Sequence, residues 1–151
     1  MTGVSSKLFS FFSEDLFFVS NDYHSREEVL KHLCSNLEKQ RVVNNQFYDN
    51  VIERENASST AFEQITIPHS VFMDGLDTKI SVLISSEGIQ WGDKLIHIVF
   101  LPSINYADRE TFTDVYEGLI SIFDEANVYS DFKKIEKFKE FEKFVKSKVL
   151  I

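Results

Sequence analysis

The chain has 151 residues, of which 43% are hydrophobic and 26% charged, and it contains one cysteine. These values are typical of one globular domain, 1–151, and exclude a disordered chain or an internal disulfide. The net charge of −8 argues against direct nucleic-acid binding, which needs a basic footprint. Because no apolar run reaches the length of a membrane span and no signal peptide is evident, we expect a cytoplasmic protein without membrane insertion.

The first elements are predicted to be helical. Residues 7–18 are rich in phenylalanine and indicate a short helix followed by a strand. Ser25 and Glu28 form a capping box, and leucines at helical spacing extend the next helix to about Lys39. Residues 46–54 also have a helical pattern, and the small polar residues 55–60 predict a loop.

The middle of the chain predicts three strands, at 64–68, 79–84 and 95–101. The last two are nearly continuous apolar runs, which is typical of strands covered on both faces. Residues 85–88 and 91–93 predict a loop between them that is long for a minimal hairpin.

Two further helices are predicted, at about 109–125 and 131–147. In the second, five apolar residues lie three apart, and such a spacing drifts around the axis and cannot form one narrow stripe. Residues 132–148 also hold seven lysines and three glutamates. We interpret them as a solvated helix; binding to a membrane surface or nucleic acid is the alternative. Helices before, between and after the strands predict an α/β domain: a mixed β-sheet flanked by helices on both faces.

One histidine stands out because His69 directly follows an apolar strand that ends at Pro68. Proline cannot donate to a sheet ladder, so the histidine is expected at a rim. A neutral imidazole is a competent nucleophile, and Arg54, Thr60 and Ser70 could supply hydrogen bonds to a phosphoryl group. Each feature taken alone is more often structural, so the residues leave both readings open.

Other chemistries have less support in the sequence. The glycines form no phosphate-binding loop, the four histidines have no metal spacing, and we expect neither a metal nor a cofactor. Cys34 is expected to be a buried apolar residue. His97 lies within an apolar strand and is the candidate for a second histidine in the site.

A set of motifs spread over nearly the whole chain resembles the enzyme IIA domain of the fructose–mannitol class of the bacterial sugar phosphotransferase system. The motifs are Arg54-Glu55, Ser59-Thr60-Ala61-Phe62, Ile65-Thr66-Ile67-Pro68-His69, Ile89-Gln90-Trp91 and Val99-Phe100-Leu101. The resemblance implies that His69 takes a phosphoryl group from the carrier protein HPr, with Arg54 beside it. It also implies a mixed sheet with helices on both sides.

The sequence departs from the family pattern at three points. The gap after Thr60 is one residue shorter than in many members, and Thr66 replaces the usual alanine. Many members carry a second histidine early in the helix after the V-F-L strand, but residues 108–112 contain none. Transfer onward to a IIB domain is therefore in question, whereas acceptance of phosphate at His69 is not.

The Thr60-Ala61-Phe62 and Pro68-His69-Ser70 motifs also resemble the IIA-like domain at the carboxyl end of sugar-operon antiterminators and activators. The first hypothesis is thus a phosphoacceptor domain of a longer transcriptional regulator, a phosphocarrier-like module rather than a multi-turnover enzyme, acting on neighbouring regulator domains. The alternatives are a free-standing enzyme IIA that passes phosphate to IIB, and an interaction module that is not phosphorylated.

Overall fold

The structure is a computed structural model that describes residues 8–122 and 128–149. It has five α-helices after a first helical turn at 8–10. They are α1 (Arg26–Lys39), α2 (Phe47–Ala57), α3 (Phe112–Ile122), α4 (Val128–Phe132) and α5 (Phe138–Val149). The strands are β1 (Phe17–Val19), β2 (Ile65–Thr66), β3 (Lys79–Trp91) and β4 (Lys94–Ser103). Short 3-10 helices occupy Glu14–Leu16 and Tyr106–Thr111.

The four strands form one mixed sheet in the order β1-β3-β4-β2. The central strands β3 and β4 are antiparallel, whereas each edge strand runs parallel to its neighbour. In the edge pair that matters for the site, Ile65 of β2 lies opposite Ile98 of β4. The predicted mixed sheet is confirmed.

Helices cover both faces of this sheet. On one face, α3, α4 and α5 pack with the first helical turn over Val82, Ile98 and Phe100. On the other face, α1 and α2 pack over Leu83, Val99 and Leu101. Because successive residues of a strand point to opposite faces, the continuous apolar run of β4 serves two cores at once. The predicted three-layer α/β architecture is therefore confirmed.

The first two helices begin and end for local reasons. The hydroxyl of Ser25 accepts from the backbone N–H of Glu28, as a capping box requires, and α1 ends at the predicted Lys39. Helix α2 continues to Ala57, three residues beyond its predicted end. The prediction of a loop from residue 55 was wrong because Glu55 faces the interior, where its carboxylate finds hydrogen-bond donors.

The predicted long loop between the two central strands was also wrong. Strand β3 runs on to Trp91 with a bulge between Ile84 and Ile89, and a two-residue turn joins it to β4. Gly92 in that turn has a φ of 65°. The bulge is held by Asn21, whose side-chain oxygen accepts from the hydroxyl of Ser85 and the backbone N–H of Glu87. This partner is about sixty residues away in sequence, so local composition could not reveal it.

The last predicted helix is two helices, α4 and α5, separated by residues 133–137. The carboxylate of Glu140 accepts from the backbone N–H groups of Glu136 and Lys137 and so fixes the start of α5. Ile135 in the break is buried. The break explains how phenylalanines three residues apart all reach one core. The predicted helix at 109–125 begins as a 3-10 helix, and its last residues lie outside the described ranges.

Within the described residues, no helix combines the length and apolar character needed to cross a membrane.

Candidate functional site

His69 is presented just past the end of strand β2. Pro68 is buried and has no N–H, so pairing with β4 stops before it. Because β2 runs parallel to β4, the chain leaves the sheet at the end of β4 that holds Pro102. Pro102 and Ile104, which lies just past that end, line a cavity with His69. The side chain of His69 is half-buried there.

One hydrogen bond determines which nitrogen of the neutral His69 ring carries the proton. Its Nδ1 lies 2.9 Å from the backbone oxygen of Ile67. A carbonyl oxygen can only accept, so in the neutral ring the proton is on Nδ1 and the lone pair is on Nε2. The ring therefore offers a nucleophilic nitrogen on the side away from its own backbone.

Aromatic rings enclose His69 on the side of helix α3. The ring centroid of Phe112 lies 5.2 Å from that of His69, and the ring of Tyr116 lies edge-on at 6.3 Å. The adjoining cavity has a volume of about 20 Å³ and is lined further by Phe47, Ser70, Phe72 and Met73. Such a volume holds about one water molecule, not a metabolite.

Burial and charge both act on the pKa of His69. Desolvation is the main cause that lowers this pKa below its usual value, and the charge of Arg54 lowers it further. The hydrogen bond to Ile67 and the charge of Glu55 act in the opposite direction. The net effect favours the neutral ring, which is the nucleophilic form.

Arg54 lies in the last turns of helix α2, and its charge reaches His69. Its Nη1 donates to the backbone oxygen of Ser58 at 2.7 Å, where the helix ends. A guanidinium has five N–H donors in a fixed fork, so this bond orients the group and leaves other donors for an anion.

Ser70 lines the same cavity as His69. Its hydroxyl oxygen accepts from the backbone N–H of Phe72, and this leaves the hydroxyl hydrogen free to donate elsewhere. The loop continues to Gly75, where an added Cβ would clash with Ser103 Oγ. Asn105 donates to the backbone oxygen of Gly75 at 3.0 Å and so fastens the loop to the end of β4.

Thr60 lies behind the site rather than in the cavity. It is buried, its backbone N–H and hydroxyl both donate to the carboxylate of Glu55 at 2.9 Å, and its hydroxyl oxygen lies 2.8 Å from that of Thr66. A hydroxyl has one hydrogen, and here Glu55 receives it.

His97 lies in the first half of β4, away from the end that lines the cavity. Its Nδ1 is 2.8 Å from the backbone oxygen of Ser85, and burial is the main cause that lowers its pKa. Pro102, which lines the His69 cavity, follows His97 by five residues, and at about 3.3 Å per residue this is roughly 16 Å along the strand. The structure therefore does not bring the two histidines together.

Among the described residues, no group of three or more His, Cys, Asp or Glu side chains is placed to hold a metal ion. Cys34 is buried, and burial raises the pKa of its thiol to about 12.

Sequence reasoning missed three residues around the site. Phe112 and Tyr116 lie in the helix predicted at 109–125, and their spacing of four places both rings on the same side. Glu55 was assigned to a loop, and only the helical pattern extending past Arg54 could have indicated its burial.

The fold and site define a small α/β domain whose mixed four-stranded sheet presents His69 just past the end of β2. Residues 10–148 match the family described as "Phosphoenolpyruvate-dependent sugar phosphotransferase system, EIIA 2". The chain belongs to this family.

A bacterial operon regulator is also similar to this chain. The "Probable licABCH operon regulator" of Bacillus subtilis (strain 168) is 23% identical over 141 residues, which cover 93% of this chain and 22% of that protein. The chain thus spans about a fifth of the length of this relative.

Solved structures show the same fold. Nitrogen regulatory protein IIA-Ntr from Neisseria meningitidis has a TM-score of 0.80 at 12% identity, covering 90% of this chain and 97% of that one. A putative PTS IIA domain from Streptococcus pyogenes M1 GAS has a TM-score of 0.77 at 13% identity, covering 95% and 94%. The IIAMtl–phosphorylated IIBMtl complex from Escherichia coli has a TM-score of 0.77 at 16% identity, covering 90% and 99%.

Proposed function

We propose that this chain is a phosphoacceptor domain of the sugar phosphotransferase system, in which Nε2 of His69 accepts a phosphoryl group from phospho-HPr. The observation that carries the proposal is the bond from Nδ1 of His69 to the oxygen of Ile67, because it leaves the lone pair on Nε2. Family membership supplies the reaction class.

The transfer is a displacement at phosphorus. Nε2 of His69 forms a bond to phosphorus as the bond from phosphorus to the donor's imidazole nitrogen breaks. The donor's electron pair stays on the leaving nitrogen, and each ring keeps the N–H proton that it already carries. No outside base is needed, so the protein's task is to position the ring and offset charge on the phosphoryl oxygens.

Two nearby side chains are suited to that second task. Arg54 has donors beyond the one it gives to Ser58, and the hydroxyl of Ser70 has a hydrogen to give. Thr60 would act through the loop that it holds, since its hydrogen goes to Glu55. His97 would take part in the transfer only if a partner protein contacted both it and His69.

A protein donor fits this site better than a small molecule does. The cavity beside His69 holds about one water, yet the loop after it exposes Phe72 (62%) and Leu76 (57%). Tyr106, near the end of β4, is exposed by 64%. We call these three residues the apolar rim; such side chains are typical of protein contact surfaces.

The regulatory form of the proposal rests on the operon regulator from Bacillus subtilis, of which this chain matches about a fifth. In that form, phosphate on His69 changes how the domain docks on neighbouring regulator domains in the cytoplasm. The free-standing IIA form is favoured by the solved complex of a IIA with a phosphorylated IIB. One observation counts against the free-standing form. The rings of α3 beside His69 are those of Phe112 and Tyr116, and neither is an imidazole that could pass phosphate onward.

Incubation with phosphoenolpyruvate, enzyme I and HPr tests the proposal. We expect acid-labile phosphate on the wild-type chain and on His24→Ala, a matched change at an exposed histidine, and none on His69→Ala. An unlabelled wild type, or a fully labelled His69→Ala, would contradict a phosphoacceptor role and favour an interaction module that is not phosphorylated.

Addition of a IIB domain to the labelled protein separates the two forms. We expect the label to stay on His69. Rapid loss of label to IIB would identify a free-standing IIA and contradict the regulatory form.

A further inference from the structure

Glu55 is a buried carboxylate that is surrounded by hydrogen-bond donors. Its side chain is 2% exposed, and it is the only Asp, Glu, Lys or Arg that is buried among the residues whose burial the structure describes. Burying an unpaired carboxylate costs several kcal/mol, so such a group persists only with donors around it. Thr60 supplies two and the indole Nε1 of Trp91 supplies a third at 3.0 Å.

The hydroxyl groups beside Glu55 form a chain with one direction. The hydroxyl hydrogen of Thr60 goes to Glu55, so Thr60 can only accept in its 2.8 Å contact with Thr66. Thr66 is therefore the donor, and the order is Thr66 to Thr60 to Glu55. Thr66 is fully buried, so its hydroxyl is shielded from bulk solvent.

This chain of bonds joins the two segments that carry the site. Glu55 directly follows Arg54 on α2, and Thr66 precedes His69 by three residues at the end of β2. The carboxylate also acts through space, because its negative charge raises the pKa of His69 while the positive charge of Arg54 lowers it.

We propose that Glu55 is a positioning residue for the reaction at His69. Through the Thr60–Thr66 hydroxyl chain it holds the end of β2 against the last turns of α2, and so it fixes His69 relative to Arg54. Its charge also offsets that of Arg54 at the imidazole. The inference rests on the proposed function, since it concerns the phosphoryl transfer at His69.

The competing explanation is that Glu55 only closes the loop after α2. A purely structural role predicts lower stability without a specific change at the His69 ring. Titration of that ring therefore separates the two explanations.

Glu55→Gln tests the proposal against Glu53→Gln. Both remove one negative charge next to Arg54, but Glu53 is exposed. In Glu55→Gln we expect phosphorylation by phospho-HPr to be about tenfold slower or more, since small misplacements of reacting groups have effects of that order. We also expect the NMR titration midpoint of His69, identified by its loss in His69→Ala, to move to lower pH. Glu53→Gln should match the wild type in both.

A folded Glu55→Gln with wild-type transfer, or with slow transfer and an unmoved midpoint, would overturn the proposal. If this variant does not fold, Thr66→Val tests the proposal instead. It removes the first donor of the hydroxyl chain and keeps the charge of Glu55. It should slow transfer by about threefold to tenfold, the usual effect of one hydrogen bond, and leave the His69 midpoint in place.

Wild-type transfer in a folded Thr66→Val would then overturn the proposal. A wild-type chain that accepts no phosphate contradicts the proposed function itself, and a labelled wild type with an unaffected Glu55→Gln contradicts only the role of Glu55.

Discussion

At the scale of the residue, the site is built from two adjacent side chains of opposite charge that act on one imidazole. Arg54 is partly exposed and lowers the pKa of His69, whereas Glu55 is buried and raises it. Consecutive residues of a helix point about 100° apart. The side chain of Arg54 therefore reaches solvent, and that of Glu55 reaches the core. In the proposed transfer, only Arg54 could contact the incoming phosphoryl group.

Arg54→Gln should slow phosphorylation of His69 by about 10- to 100-fold. A hydrogen bond from a charged donor contributes about 1.5–3 kcal/mol, and 1.36 kcal/mol is a factor of ten in rate. The rate of phosphate uptake from phospho-HPr measures the effect. Arg41→Gln is the control, because Arg41 is an exposed arginine that does not line the His69 cavity. Equal rates for Arg54→Gln and the wild type would contradict the prediction. Arg54 would then serve only to hydrogen-bond the backbone oxygen of Ser58 at the end of α2.

At the scale of the element, helix α1 ends with a residue in the left-handed conformation that is not glycine. Arg41 has a φ of 62°. The backbone N–H of Val42 donates to the oxygen of Leu37 at 2.9 Å, and that of Arg41 donates to the oxygen of Glu38 at 3.0 Å. This pair of bonds is the Schellman motif, in which glycine is favoured at the position of Arg41.

Arg41→Gly should therefore stabilise the domain by about 0.5–1 kcal/mol, because glycine reaches positive φ without a steric penalty. Urea denaturation measures the free energy of unfolding. Arg41→Ala, which loses the same side chain but keeps the Cβ, should show no gain. If both variants have the same stability, the Cβ at positive φ carries no cost here.

The elements also show what the sequence could predict. Amphipathic spacing and the Ser25 cap placed α1 correctly, and the apolar run of β4 indicated a strand covered on both faces. The errors arose where partners distant in sequence decide the structure: Asn21 at the bulge of β3, and Trp91 beside Glu55 at the end of α2. Pro68 predicted the rim position of His69. The contacts of Thr60 were not predicted, because no local sequence pattern shows that its side chain is buried.

At the scale of the whole molecule, helices from opposite faces of one sheet meet beside His69. Phe112 of α3 and Phe47, which belongs to the core under α2, line the same cavity. The site therefore lies where both helical layers meet. A substitution that alters the packing of either layer can displace the imidazole of His69.

The histidines link the stability of the whole domain to pH. Burial is the main cause that lowers the pKa values of His32, His69 and His97 below their usual 6.5. Above pH 6.5 these rings are neutral in both the folded and the unfolded chain, so stability is complete. As the pH falls below 6.5, the unfolded chain takes up protons first, and stability is lost progressively until the pH passes the lowered values in the folded state.

We therefore expect the free energy of unfolding to be constant between pH 8 and 7 and to fall between about pH 6.5 and 5, before most carboxylates titrate. The slope is at most about 1.4 kcal/mol per pH unit for each proton taken up. Urea denaturation at several pH values measures it. His97→Gln should make the slope shallower because one of the three rings is gone. A wild-type stability that is flat from pH 8 to 5 would contradict the expectation and mean that these three rings protonate in the folded domain as easily as in the unfolded chain.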